Sequence, residues 1–281
     1  MMVFLILNYL AYKDTIECVD SIRENIDFPD KKIVIVDNGS KNNSYAILKD
    51  YFCNDNNIIL LHSKTNEGFA RGNNIGFKYA KDKLKAEFIV MINNDTIITQ
   101  KNFCDVIIKK HDKYNFAVLG PDILTKDGVH QNPWKVIGNS KGQIIKYRMK
   151  QRLRILLSYV KLDSYIYRNL HKSDYITTAV KEDIFDVPLH GAALIFGPEY
   201  IKIFDGLDGR TFLYFEEEIL RLYCKSYNLL MMYTADLHIY HKEDVSTNMA
   251  MRKKGVKERI GFRNRIKSSY VYEKVIKEQK V

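Results

Sequence analysis

The sequence predicts an α/β fold with a mixed, mainly parallel central sheet flanked by helices. Over the first 120 residues, short apolar runs alternate with amphipathic stretches of helical spacing, a pattern typical of βαβ units. Turn sequences rich in Gly, Asn and Asp follow several of these runs, so polar side chains collect where strands end. With 281 residues, of which 46% are hydrophobic, the chain can bury a core around such a sheet.

The elements of the first 120 residues are predicted from the spacing of apolar positions. Short β-branched runs predict strands, and apolar residues three or four positions apart predict helices. The predicted strands are Val3–Leu7, Lys32–Val36, Ile58–Leu61, Phe88–Ile92 and Phe116–Leu119. The predicted helices are Asp14–Asn25, a segment after Asp37–Ser40 that ends near Phe52, Phe69–Ala80 and Lys101–Lys113.

The rest of the chain is less regular. Pro and Gly residues interrupt residues 121–185. Further on, the pattern predicts a strand over Leu189–Phe196, a helix over Phe212–Tyr227 and a strand over Leu229–Tyr233. Past His241 the sequence is basic and is predicted to be helical to its end.

The positive charge is concentrated in two segments, although the whole chain carries only +10. Residues 141–172 hold nine Lys or Arg against one Asp, and residues 252–281 hold eleven against three Glu. Each segment therefore carries +8, and the remainder carries −6. This distribution suggests an anionic partner, either a membrane surface or nucleic acid. A solvated charged surface is the simpler alternative.

The cysteines and the apolar content predict a cytoplasmic protein that does not span a membrane. Cys18, Cys53, Cys104 and Cys224 lie far apart and form no CxxC pair, which argues against a zinc site and favours reduced thiols. No stretch reaches the roughly 18 apolar residues that a spanning helix needs. The apolar start has neither the basic region nor the cleavage site of a signal peptide.

Two acidic turns follow predicted strands. Asp37 precedes Asn38-Gly39-Ser40, a position that suits hydrogen bonds to a ribose or base and equally suits an Asx turn. Asn94 and Asp95 follow the run Phe88–Ile92, where a carboxylate suits Mg²⁺ or Mn²⁺. A simple turn is again the alternative. Parallel sheets bind ligands at the carboxyl ends of their strands, which is where both turns fall.

The segment Asn66–Asn74 combines asparagines and glycines with Arg71 at the start of a predicted helix. Backbone N–H groups at such a start, with an arginine nearby, could hold a diphosphate. A loop in front of a capped helix is the alternative. No GxGxxG and no GxxxxGK[ST] motif occurs, which argues against dehydrogenase and NTPase functions.

Three consecutive glutamates, Glu216, Glu217 and Glu218, follow an aromatic cluster. Adjacent carboxylates repel one another, so burial would raise the pKa of at least one. Acidic residues also suit the first turn of a helix, which does not explain the aromatic cluster. His238 and His241 would point to opposite faces of a strand and are not a ligand pair.

Taken in order, these segments resemble the family 2 glycosyltransferases, especially the rhamnosyltransferase-like branch. The likeness covers roughly residues 2–245 in the right order and spacing. It rests on Leu7–Tyr9, Ile35–Ser40, Asn66–Asn74, Asn93–Thr96, Gly191–Ala193, Phe212–Glu217 and His241–Lys242.

The resemblance implies the GT-A fold over residues 1–245. Residues 1–120 would form the nucleotide-sugar-binding half. Residues 121–245 would form the acceptor-binding half, with a basic insertion near 141–172. Residues 246–281 would form a basic helical extension.

The resemblance also implies roles for single residues. The donor would be bound by Asn8, Asp37, Asn66, Gly68, Arg71, Asn73, Asn94 and Asp95, with Asp37 at the nucleoside. Asp95 matches the last residue of the metal motif of the family, and His241 matches a histidine near the same metal. Glu217 falls at the position of the catalytic base, beside Glu216. Ile219 replaces an acidic residue common in relatives, which leaves the choice between the two glutamates open.

The implied function is inverting transfer of a sugar from a UDP- or dTDP-sugar to a saccharide acceptor hydroxyl, assisted by Mg²⁺ or Mn²⁺, in bacterial surface polysaccharide synthesis. The basic segments would lie on anionic lipid at the inner face of the plasma membrane, near a lipid-linked acceptor. Apolar residues interleaved there are Tyr147, Leu153, Ile155, Leu156, Leu157 and Tyr159.

Three other functions are compatible with parts of the sequence. A nucleic-acid-binding protein would suit the pI near 9.2, but no RRM, KH or zinc pattern occurs, and we expect no nucleic acid partner. A nucleotidyltransferase on a related fold would usually carry a Gly-rich basic loop after its first strand, which this sequence lacks. A binding module without catalysis would be compatible with the altered acidic motif.

Overall fold

The computed structural model describes residues 1–134, 138–160, 179–243 and 254–279. Within these ranges the strands are β1 Met2–Asn8, β2 Lys31–Asp37, β3 Ile58–His62, β4 Phe88–Asn93, β5 Thr96–Ile97, β6 Val118–Thr125, β7 Ile184–Phe185, β8 Ala193–Phe196 and β9 Met231–His241. The helices are α1 Tyr12–Asn25, α2 Ser44–Tyr51, α3 Phe69–Asp82, α4 Phe103–Tyr114, α5 Lys141–Tyr159, α6 Pro198–Ile203, α7 Glu216–Ser226 and α8 Lys254–Gln279.

One mixed sheet joins the strands in the order β3-β2-β1-β4-β8-β6-β9-β5, with β7 added beside β9. Strands β3, β2, β1 and β4 are parallel, as are β6 and β9. The antiparallel pairings of β8, β5 and β7 are shorter. The predicted α/β fold with a mixed sheet is therefore confirmed.

Helices cover both faces of the sheet because alternate residues of each strand point to opposite sides. On β1, Phe4 and Ile6 face a core shared with α1, α2 and α4. Val3 and Leu5 face a second core shared with α3, α6 and α7. Strands buried on both faces are continuously apolar, which is why β1, β2 and β4 were recognisable as short hydrophobic runs.

A third apolar cluster lies where α5, α7 and α8 meet. It contains Ile144 of α5, Ile219 and Leu222 of α7, and Tyr272 and Val275 of α8. The described part of the C-terminal segment is thus a helix that packs on the rest of the chain. Residues 244–253 and 280–281, together with 161–172 of the basic insertion, lie outside the described residues.

The structure differs from the predicted elements mainly after residue 185. The strand expected over Leu189–Phe196 begins only at Ala193, because residues 190–192 turn away to make other hydrogen bonds. The helix expected from Phe212 begins at Glu216, because Tyr214 and Phe215 have positive φ angles of 74° and 73°. The strand expected over Leu229–Tyr233 continues to His241.

None of the helices in the described ranges combines the length and apolar character that crossing a membrane requires.

Candidate active site

The polar residues predicted from the sequence gather at the carboxyl ends of the parallel strands. Asn8 at the end of β1 lies in register with Asp37 at the end of β2. On the other side of β1, Leu7 lies in register with Asn93, the last residue of β4. The neighbouring strand β8 is antiparallel to β4 and begins at this edge. The edge therefore brings three strand ends and one strand start together.

Asp37 is fully buried, and both of its carboxylate oxygens are in use. Oδ2 accepts a hydrogen bond from Nδ2 of Asn8 at 2.6 Å, and Oδ1 accepts one from the backbone N–H of Ser40 at 3.1 Å. Nδ1 of His62 also lies 3.1 Å from Oδ1. Asp37 therefore closes an Asx-type turn and orients His62.

His62 and Tyr45 form an aromatic pair beside Asp37. Their ring centroids are 4.5 Å apart, and the His62 side chain is 40% exposed. An accessible aromatic face at the carboxyl end of a sheet can stack on a planar ring, as aromatic side chains do on nucleobases. Sequence reasoning missed both residues, because nothing in a single sequence shows which ring lies next to Asp37.

The loop from Asn66 into α3 is held by internal hydrogen bonds. Oδ1 of Asn66 accepts from the backbone N–H of Gly68 at 2.9 Å and from Nδ2 of Asn38 at 3.2 Å. Asn38 also binds the backbone of residues 67 and 68. Gly68 has φ 82°, and a Cβ there would lie 2.3 Å from the carbonyl oxygen of Phe212. Gly68 therefore allows the loop to contact the segment that precedes α7.

Arg71 contacts the loop before α3, and Asn73 contacts the first residue of α3. The Arg71 side chain is 56% exposed and pairs loosely with Glu67 over 3.9 Å. Asn73 is buried; its Nδ2 donates to the carbonyl oxygen of Phe69, and its Oδ1 has no hydrogen-bond partner. Of the two, only Arg71 has the exposure that phosphate binding requires.

Asn94 links the turn that follows β4, called the β4 turn below, to α1 through a hydrogen bond. Its Nδ2 donates to Oγ1 of Thr15 at 3.1 Å, and the Thr15 hydroxyl donates to Oδ1 of Asn8 at 2.9 Å. Asn8 and Asn94 are both buried. These two residues therefore position the strand ends that carry Asp37 and Asp95.

Asp95 faces His241 at the end of β9. Oδ1 of Asp95 and Nε2 of His241 are 3.2 Å apart, and both side chains are buried. Burial opposes ionisation of Asp95. The hydrogen bond and charge of His241, when its ring is protonated, together with the charge of Lys242, more than offset this effect and lower the pKa of the Asp95 carboxyl below its usual value. Asp95 is therefore charged. His238, three residues earlier, is exposed, as predicted for the opposite strand face.

The hydrogen bonds around His241 leave Nε2 as its free nitrogen. Gln131 donates from Nε2 to Glu243 at 2.5 Å, so its Oε1 accepts from Nδ1 of His241 at 2.7 Å. Nε2 of His241 is buried and makes no hydrogen bond. When the ring is instead neutral with its proton on Nδ1, the Nε2 lone pair faces the Asp95 carboxylate, and a cation between the two groups would replace their repulsion by coordination to both.

This pair fits a divalent cation that takes few ligands from protein. Mg²⁺ binds its ligands at about 2.1 Å, so adjacent ligands in an octahedron lie roughly 3 Å apart, close to the separation found. Among the described residues no group of three or more His, Cys, Asp or Glu side chains could enclose a metal. Asp95 and His241 would supply two ligands to such an ion and leave its other coordination positions for phosphate oxygens.

The three glutamates at the start of α7 have different surroundings. Oε1 of Glu216 accepts from the Thr211 hydroxyl at 2.8 Å. Oε1 of Glu217 accepts from the backbone N–H of Gly191 at 3.2 Å, and its side chain is partly exposed. Glu218 is buried beside the cluster between α5 and α8. Only Glu217 combines contact with the strand-end edge and access.

Burial raises the pKa values of all three carboxyls. It raises those of Glu216 and Glu218 to about 8, with a further contribution from the charge of Glu217. The pKa of Glu217 also rises through burial, opposed by its backbone hydrogen bonds. Three adjacent carboxylates repel one another, so ionisation of one disfavours ionisation of the other two. Glu217 has the best access to solvent of the three, so it is the carboxyl that most readily carries the negative charge.

Residues 190–192 connect the glutamates to the Asp95–His241 pair. The His190 ring centroid lies 6.0 Å from that of His241. Gly191 binds Glu217, and the carbonyl oxygen of Ala192 accepts from the backbone N–H of Asn93 at 2.9 Å. Burial, reinforced by His241, lowers the pKa of His190 to about 3, so this ring is neutral.

His190 and Gln131 were not identified from the sequence. His190 accepts on Nδ1 from the backbone N–H of Ala192, which leaves its proton on Nε2. The position before Gly191-Ala192-Ala193 was the one available signal for His190. Gln131 lies in an irregular segment and has no sequence signal.

A family model described as glycosyl transferase family 2 matches residues 4–168. The chain is 27% identical over 128 residues to the low-salt glycan biosynthesis hexosyltransferase Agl10 of Haloferax volcanii, covering 46% of this chain and 38% of that protein. It is 27% identical over 137 residues to glycosyltransferase GlyG of Streptococcus pneumoniae, covering 42% of this chain and 44% of that one. Each alignment spans less than half of the relative.

Solved structures share the fold. S. aureus TarS (residues 1–349) in complex with UDP-GlcNAc superposes with a TM-score of 0.55 at 15% identity, covering 90% of this chain and 61% of that chain. GalNAc-T7 with UDP, GalNAc and Mn²⁺ gives a TM-score of 0.59 at 11% identity, covering 87% and 43%. At these identities the likeness concerns the GT-A fold alone.

Proposed function

The chain belongs to glycosyl transferase family 2, and from this we propose that it is an inverting, metal-assisted hexosyltransferase that uses a nucleoside-diphosphate sugar. Family membership favours this over a nucleotidyltransferase or a nucleic-acid-binding protein. Assignment to the rhamnosyltransferase-like branch stays a prediction. The division into a half 1–120, a half 121–245 and an extension 246–281 also stays a prediction.

A single observation supports the proposal most strongly. Residues 190–192 contact, within three positions, both the turn that presents Asp95 and the carboxyl of Glu217. A cation-binding carboxylate and a candidate base are thereby held on one structural unit. Transfer of a sugar from a diphosphate to a hydroxyl requires both groups at one centre.

In the proposed reaction, Glu217 accepts the proton of the acceptor hydroxyl as the sugar–oxygen bond forms. A carboxylate is too weak a base to remove that proton beforehand, so proton transfer accompanies attack. The raised pKa of Glu217 brings its basicity closer to neutral pH, which favours this role. Attack opposite the departing diphosphate inverts the anomeric carbon.

Asp95 and His241 are the residues that would hold Mg²⁺ or Mn²⁺. When bound, the ion would act as a Lewis acid and neutralise charge on the diphosphate leaving group. A site of one carboxylate and one imidazole favours Mn²⁺ over Mg²⁺, because Mg²⁺ prefers oxygen ligands. Gln131 fixes the tautomer of His241, and Lys242 adds positive charge beside the pair.

For the donor we propose a UDP-sugar, with a dTDP-sugar as the second choice. TarS is complexed with UDP-GlcNAc and GalNAc-T7 with UDP in the solved structures that share the fold, which supports a uracil nucleotide here. Asp37 orients His62, so that His62 and Tyr45 would receive the base. Asn66, Gly68 and Arg71 would shape the diphosphate side.

For the acceptor we propose a saccharide, carried on a lipid, in the synthesis of a bacterial surface polysaccharide. The chain would then work in the cytoplasm at the inner face of the plasma membrane. The glycan role named for Agl10 supports this pathway class.

The test is a panel of nucleotide sugars with the purified protein, with and without Mn²⁺. Thermal shift identifies the donor, since a ligand that binds the native state raises its melting temperature. NMR of the product from that donor then determines the anomeric configuration. Retention of configuration would overturn the inverting mechanism, and full activity after metal removal would overturn the metal assignment.

A further inference from the structure

Helix α5 exposes an apolar stripe. Ile145, Met149, Leu153 and Leu156 are exposed by 43%, 63%, 55% and 66%. Their spacing of four, four and three residues places them on one face of the helix. A row of large exposed apolar side chains marks an interaction surface more often than isolated ones do. These four residues are called the α5 stripe below.

Basic residues border the α5 stripe, and no acidic residue occurs in the helix. Lys146 and Lys150 follow stripe residues directly, and both are exposed. With about 3.6 residues per turn, these two lie on one side of the stripe and Arg152 lies on the other. Apolar side chains between long basic ones suit the boundary between lipid headgroups and acyl chains.

The opposite face of α5 packs against the rest of the protein. Ile144 is buried, and Arg148 binds Ser269 and Glu273 of α8. Tyr147 packs edge-to-face on Phe215, which directly precedes α7, the helix that carries Glu217. Tyr147, expected from the sequence to lie among the lipid-facing residues, therefore faces inward. The division of faces leaves the stripe directed away from the fold.

We propose that the α5 stripe is a docking surface for an anionic lipid bilayer. The positive charge of α5 favours a bilayer over a second copy of the chain. A second copy meeting the same face would place two basic, acid-free helices against each other, which is unfavourable. A bilayer with anionic headgroups complements the lysines and accepts the stripe between them.

The proposal deepens the proposed function, because it names the surface that brings a lipid-borne acceptor towards Glu217. α5 contacts the bilayer on one side and Phe215 on the other, so docking fixes the orientation of α7 relative to the lipid. The readout below is partitioning onto vesicles, which requires no sugar transfer. Failure of the glycosyltransferase proposal would therefore leave the vesicle result unaffected.

The experiment is vesicle flotation of the full chain. Vesicles of phosphatidylcholine alone are compared with vesicles that also contain phosphatidylglycerol, at low and high salt. We expect roughly tenfold or stronger partitioning onto the anionic vesicles, weakened by salt. The variant Met149→Gln/Leu153→Gln/Leu156→Gln, which keeps the helix propensity of α5 nearly unchanged, should lower this partitioning about tenfold or more.

The control is Ile203→Gln, which removes an exposed apolar side chain outside α5 and should bind vesicles as the parent does. Both variants should keep the melting temperature of the parent. Equal partitioning of stripe variant and parent would overturn the proposal, as would binding that ignores anionic lipid. A lower melting temperature of the stripe variant would show that protein covers the stripe, and dissociation of an oligomer by the same substitutions would assign it to a second copy; both outcomes also overturn the proposal.

Discussion

The backbone N–H of Gly191 donates a hydrogen bond to Oε1 of Glu217 over 3.2 Å. Glu217 is thereby held by the segment that also contacts the β4 turn and the His241 ring. A hydrogen bond from a backbone donor stabilises the charged form of a carboxyl and fixes its direction. The position of the proposed base thus depends on how closely its side chain can approach residue 191.

Gly191→Ala should impair transfer while the fold survives. A Cβ at this position would lie 2.4 Å from Oε1 of Glu217, so the carboxylate must move. Displacement of a reacting group by about 1 Å can cost about a hundredfold in rate. We expect a comparable loss in kcat with little change in donor affinity, measured by steady-state kinetics and calorimetry.

Gly142→Ala provides the control for that substitution. A Cβ at Gly142 meets nothing within 4 Å, so the variant should retain parental kinetics and gain slightly in stability. An active Gly191→Ala enzyme would show that Glu217 is not the base or that its position is not critical.

Glu217→Gln should abolish transfer far more completely than changes at the neighbouring glutamates. Removal of a positioned base costs about 10²–10⁴-fold in rate, and we expect a loss in that range with donor affinity unchanged. Glu216→Gln should retain most activity, because an amide oxygen can still accept from the Thr211 hydroxyl. Steady-state rates of the two variants decide between the glutamates. The reverse order would make Glu216 the base.

Gln131→Leu should weaken Mn²⁺ binding although Gln131 would not touch the ion. Its Oε1 holds the Nδ1 proton of His241 at 2.7 Å. Loss of such a partner typically weakens metal affinity about 10–100-fold. Free Mn²⁺ can be followed by electron paramagnetic resonance during titration. Gln100→Leu is the control, since Gln100 binds Asp236 and His238 instead. Equal affinities of the two variants would argue against His241 as a ligand.

The strand ends of the site could be predicted from the sequence because buried parallel strands are short apolar runs with abrupt ends. The sequence therefore predicts that Asp37 and Asp95 lie at one edge of the sheet. The use of each polar side chain could not be predicted. Asn8 binds Asp37 at the end of β2, and Asn94 binds Thr15 of α1. A single sequence does not distinguish a residue that supports a site from one that faces a ligand.

The turn before α7 and the burial of one residue of the basic segments could not be predicted from the sequence, because both depend on long-range packing. Aromatic residues rarely adopt positive φ, so the turn at Tyr214 and Phe215 had no local signal. Phe215 is held there by Tyr147 and Tyr272 from distant helices. Similarly, Arg148 belongs to a basic run that suggested an exposed surface, yet it is buried against Glu273. Only the tertiary partner reveals which member of a charge run is internal.

Glu218→Gln should stabilise the protein at alkaline pH. Burial, together with the charge of Glu217, raises the pKa of Glu218 from 4.5 to about 8. Between these values the folded chain retains a proton that the unfolded chain has released. Stability contributed by the neutral carboxyl is therefore complete below pH 4.5 and is lost progressively as the pH rises to 8. A glutamine stays neutral and avoids the loss.

Thermal unfolding at pH 5 and pH 9 measures this effect. A unit of pKa shift corresponds to about 1.4 kcal/mol, and each kcal/mol moves the melting temperature of a chain of this size by about 2–4 °C. We therefore expect Glu218→Gln to gain at least about 4 °C over the parent at pH 9 relative to their difference at pH 5. Glu24→Gln, at an exposed position on α1, should follow the parent at both pH values. If Glu218→Gln also followed the parent, the Glu218 carboxyl would have to be hydrated or paired in the folded state, because only then would its ionisation cost so little.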